Sequence, residues 1–82
     1  MDRYEIGKRL RQDVLDFMRE RSPKWVTTME ISDRMEGLVA WSPIRLIRIR
    51  QANSQLGKLY IEGKVERAPK AGRTPNRWRL RT

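Results

Sequence analysis

The chain has 82 residues and carries 19 Lys and Arg against 10 Asp and Glu, a net charge of +9, which makes room for one small domain (1–82) with a modest core and excludes a second. It has no Cys and no His, so disulfides, thiolate and imidazole metal ligands and a histidine base are absent; zinc fingers and Ser/His or Cys/His catalysis are excluded, and no enzyme, cofactor or small-molecule ligand is expected. No apolar run approaches the roughly 20 residues of a membrane span, and Met1 leads directly into Asp2 and Arg3 without a signal-peptide core, so a soluble, cytoplasmic protein is expected.

Ile6, Leu10, Val14, Phe17 and Met18 recur at helical steps and predict an amphipathic helix over about 4–21. Asp13 and Asp16 are expected on its solvated surface, and Ser22-Pro23 stops it because the residue before proline is pushed out of the α region. Trp25 and Val26 suit one brief strand over 24–27, with Trp25 in the core. Thr27 and Glu30 have the capping-box spacing, so a second helix starts near Thr28, with Ile31 and Met35 inward and Gly37 as its left-handed end. Met18, Met29 and Met35 are expected to fill gaps in the core.

After an apolar connector, Leu38 to Trp41, Ser42 reads as a cap and Pro43 as the first position of a third helix running to Glu62. Ile49, Ala52, Leu56, Leu59 and Tyr60 form its core stripe, and Arg50, Gln51, Ser54, Gln55 and Lys58 its polar face. Ile44 and Ile47 then project toward the polar side, so either the first turns form a separate short helix or these isoleucines meet another surface. Gly63 closes the helix. Residues 64–67 and 77–81 alternate as two strands, with Trp78 and Leu80 inward, joined by a cationic, turn-rich loop over 69–76.

Residues 1–41 hold eight basic and eight acidic side chains, whereas residues 42–82 hold eleven basic ones against only Glu62 and Glu66. The whole excess therefore lies in the half containing the third helix and the hairpin, which favours a polyanionic partner.

The order helix, strand, helix, helix, strand, basic loop, strand resembles the winged helix-turn-helix family over nearly the whole chain. Its most specific part is Leu56-x-x-Leu59-x-x-x-Gly63-x-Val65-x-Arg67, similar to the recognition-helix exit and first wing strand of many bacterial regulators, followed by Arg77-Trp78-Arg79-Leu80 as the second wing strand. The resemblance implies an α+β winged-helix fold with three helices, a short strand and a C-terminal two-stranded wing. It also implies sequence-specific double-stranded DNA binding in transcription regulation, with the protein nucleoid-associated when bound.

Base edges in the major groove call for Arg, Gln and Ser on the helix face. The candidate readers are Arg50, Gln51, Ser54 and Gln55, with Lys58, Arg45 and Arg48 toward phosphates and Lys70, Arg73 and Arg77 on the wing. The connector over 37–47 is longer and more apolar than the family's tight turn. It leaves the helix start open by about a turn, and with it which of Arg45, Arg48, Arg50 and Gln51 faces bases. A homodimer contact is expected at Trp41, Ile44 and Ile47. Arg79 and Arg81 are expected on the outer side of the last strand, keeping the domain soluble. The alternatives are a winged-helix module for RNA or a ribosomal surface, and a winged-helix protein–protein adaptor.

Overall fold

The computed structural model describes residues 2–70 and 72–81. Three helices, α1 (Arg3–Arg21), α2 (Thr28–Arg34) and α3 (Arg45–Ile61), pack with strands β1 (Val26–Thr27), β2 (Val65–Arg67) and β3 (Arg77–Leu80) into a compact α+β fold. The sheet is antiparallel in the order β1-β3-β2. Val26 pairs with Trp78, and Arg67 pairs with the same residue from the other side, so the hairpin and the strand before α2 form one sheet. Among the described residues, no helix is long and apolar enough to cross a membrane.

Local signals set most of these boundaries. The Asp2 carboxylate caps α1 by accepting from the Glu5 amide, and the helix ends at Arg21, before Ser22-Pro23. The capping box forms: Thr27 Oγ1 accepts from the Glu30 amide while the Glu30 carboxylate accepts from the Thr27 amide. Gly37 and Gly63 both adopt the left-handed backbone (φ 85° and 77°) that lets the chain reverse after α2 and α3.

The core joins Leu10, Val14, Phe17 and Met18 of α1 to Val26, Ile31, Met35, Trp41, Leu56, Leu59, Val65 and Trp78. Full burial of each large aliphatic side chain contributes about 1.5–3 kcal/mol.

Several expectations are corrected here. Trp41 is buried, its indole N–H donating to Asp13 Oδ2 at 2.9 Å, so it is unavailable for a dimer contact and Asp13 is a structural acceptor, not a solvated acid. Trp25 is only half-buried, with the Arg79 guanidinium 4.1 Å from its ring centroid. Arg79 also pairs with Glu66, so it braces the sheet and is not merely a solubilising charge. Met29 and Tyr60 are exposed and Ile49 is half-buried.

Helix α3 starts at Arg45 and not at Pro43. The Ser42 hydroxyl accepts from the Ile44 amide within the connector, and Ile44, at the N-cap, has no side-chain acceptor to offer the first turn of the helix. No separate helix precedes α3: residues 39–44 are a turn and bends, and Ile44, Leu46 and Ile47 are exposed.

Candidate nucleic-acid interface

Helix α3 packs against α1, α2 and β2, and Ala52, Leu56 and Leu59 fix which of its faces points inward. The residues on that arc's edges therefore cannot all face solvent, and the ten sequence-derived candidates separate into two groups.

Three of them, Arg48, Gln51 and Gln55, are drawn into the fold, and a fourth, Arg45, is exposed but held in an ion pair. Arg48 is only 3% exposed; its Nε donates to the Ser32 carbonyl (2.9 Å) and its Nη1 to the Ser42 (3.1 Å) and Pro43 (2.9 Å) carbonyls. Gln51 accepts from the Ser42 amide at 3.0 Å and donates to the Ala40 carbonyl at 3.3 Å. These two side chains pin the connector to α3, so neither is free to read a base. Arg45 holds Asp33 of α2 through two bonds of 3.0 and 3.3 Å, and that hydrogen bonding raises the guanidinium pKa further above its ordinary value. Gln55, placed on the polar face by its chemistry, is 5% exposed.

The other six are exposed: Arg50, Ser54 and Lys58 on α3, and Lys70, Arg73 and Arg77 on the hairpin. Their five cationic side chains form no ion pair among the described residues. Within the hairpin loop, Ala71 lies outside the described residues, and Gly72 takes the left-handed conformation (φ 64°).

Asn53 was missing from the sequence-derived face. It is exposed, three residues after Arg50 and four before Gly57, a spacing that puts it on the same stripe. Its Oδ1 accepts from Thr28 Oγ1 at 3.1 Å, and that hydroxyl in turn accepts from the buried Trp78 indole N–H at 3.2 Å. This relay ties α3 to α2 and β3 and fixes the amide so that its NH₂ group is the end left for an outside acceptor.

Elsewhere arginines are largely occupied. Arg11 makes a bidentate pair with Glu62 (both bonds 2.6 Å), Arg34 pairs with Glu20, and Arg67 lies over the Tyr60 and Trp78 rings. The outer face of α3 and the hairpin thus carry five cationic side chains without an ion pair among the described residues, an arrangement suited to phosphates and to the acceptor edges of bases. No family model matches the chain, and neither a curated protein nor a solved structure matches it.

Proposed function

We propose that this chain is a winged-helix domain that binds double-stranded DNA in transcription regulation, with α3 in the major groove and the β2–β3 loop, the wing, on the backbone. The observation that carries the reading is the sorting of polar side chains on α3. Arg45, Arg48 and Gln51 are used within the fold, while Arg50, Asn53, Ser54 and Lys58 share its outer face without any acid to neutralise them. Arg50 is the guanine reader in this arrangement, Asn53 the adenine reader, and Lys58 a phosphate contact. The element order, with β3 between β1 and β2, supports the same reading. Ile44, Leu46 and Ile47 remain as the apolar surface for pairing two copies on a two-fold site.

Selection of binding sites from random duplex DNA, beside an RNA duplex control, tests the proposal. A selected DNA motif is expected, and Arg50→Ala should cost about 1–3 kcal/mol on it and little on random duplex. Equal losses on both would reduce the protein to a non-specific binder, and preference for the RNA duplex would overturn the DNA reading.

A further inference from the structure

Beside the outer face of α3 runs a groove of about 300 Å³ shared with the N-terminal half of α1. Helix α1 lines it with Arg3, Tyr4, Gly7, Lys8 and Arg11, and α3 with Gln55 and Lys58. Among the described residues, no carboxylate lines it. Arg3, Lys8 and Lys58 form no ion pair among the described residues, and the Lys8 ammonium lies 4.9 Å from the Tyr4 ring centroid.

Two features go beyond a merely basic surface. Gln55 is 95% buried by virtue of its 5% exposure, yet its side chain makes no hydrogen bond among the described residues. Among the described residues no fully buried side-chain polar atom lacks a partner, so the accessible remnant of Gln55 includes its amide, at the groove it lines. Gly7 sits inside α1, where glycine is disfavoured relative to alanine. A Cβ there would meet nothing within 4 Å, so packing within the chain does not require the glycine, and its absent side chain keeps the groove open.

We propose that this α1–α3 groove binds phosphate groups, supplied by the DNA backbone flanking the α3 contact, with Arg3, Lys8 and Lys58 around the anion and the Gln55 amide donating to it. This rests on the DNA-binding reading and extends its footprint onto α1, in the half of the chain whose formal charge is zero.

The test uses fluorescence anisotropy on a random-sequence 20-base-pair duplex over a range of salt. Gly7→Gln should fold with unchanged or higher thermal stability and weaken binding about tenfold, and Arg3→Ala with Lys8→Ala should lower the salt slope by about two. Normal affinity and slope in both variants, with binding still dependent on Lys58, would overturn the groove while leaving α3 as the DNA contact.

If the wild-type chain fails to bind duplex DNA, the reading falls and the backbone is excluded as the phosphate source. Titration with inorganic phosphate, followed by the NMR signal of the Gln55 side-chain amide, then decides the chemistry. A saturable shift abolished in Gly7→Gln upholds a phosphate site for a free ligand, and no shift overturns it.

Discussion

Arg48 is a cation in the core's margin without an ion pair among the described residues; its compensation comes from three backbone carbonyls of α2 and the connector. Such an arrangement is asymmetric energetically, because removing the donor takes the guanidinium partner from the Ser42 and Pro43 carbonyls and leaves the Ser32 carbonyl only the Met35 amide at 3.3 Å. Arg48→Met is therefore expected to destabilise the fold by about 3 kcal/mol, read as a lower urea midpoint. Arg48→Lys should recover only part of this, since an ammonium cannot reproduce the guanidinium fork. An unchanged midpoint for Arg48→Met, with loss confined to DNA affinity, would return this residue to the interface. The face of Arg48 was not legible in the sequence, and the reason is physical. Its helical position lies at the edge of the buried arc, and long polar side chains at such edges go wherever acceptors are. Those acceptors, the Ser42 and Pro43 carbonyls, are delivered by a connector whose path no local pattern encodes. Gln55 is the opposite case: its amide suggests a solvent-facing side chain, but its position beside Leu56 and Leu59 buries all but a remnant of it, at the α1–α3 groove.

At the scale of elements, what could be read were features decided within a few residues. The Thr27–Glu30 capping box, the stop at Ser22-Pro23, the left-handed Gly37 and Gly63, and the alternation through Val65 and Trp78 all involve near neighbours, and all have their expected consequences in the structure. The start of α3 failed the same approach because Ser42, a good cap by type, spends its hydroxyl on Ile44 inside a connector held by Arg48 and Gln51. The hairpin loop presents the complementary case, with Lys70 and Arg73 exposed and without an ion pair among the described residues, as its composition implies. As a wing on the DNA backbone, it should act without regard to sequence. Lys70→Ala with Arg73→Ala is expected to weaken all duplexes about equally and lower the salt slope by roughly 0.9 per lost phosphate contact. A slope identical to wild type would remove the wing from the interface while leaving α3 in it.

Over the whole molecule, the even balance of the first half and the excess of the second do not survive folding as separate regions. Arg11 of α1 reaches across 51 positions to Glu62, just past the end of α3, and this pair fastens the two halves beside the α1–α3 groove. Hydrogen bonding to Arg11, joined by its charge and that of Lys64, outweighs desolvation and lowers the Glu62 pKa below its ordinary value of 4.5. The same bond raises the pKa of Arg11. A carboxyl whose folded pKa is depressed binds its proton more readily in the unfolded chain, so its stabilising contribution is complete above the unfolded value and disappears as pH falls through the folded one. Glu62→Gln should consequently lower the melting temperature at pH 7, and the gap to wild type should narrow as pH falls below about 4.5 and close once Glu62 is protonated in the folded state. Thermal melts of both proteins from pH 7 to pH 3 measure this directly. Because the pair is partly exposed, the gap at pH 7 should also shrink with added salt. A gap that stays constant to pH 3 would mean that Glu62 acts through the shape of its side chain and not through its charge.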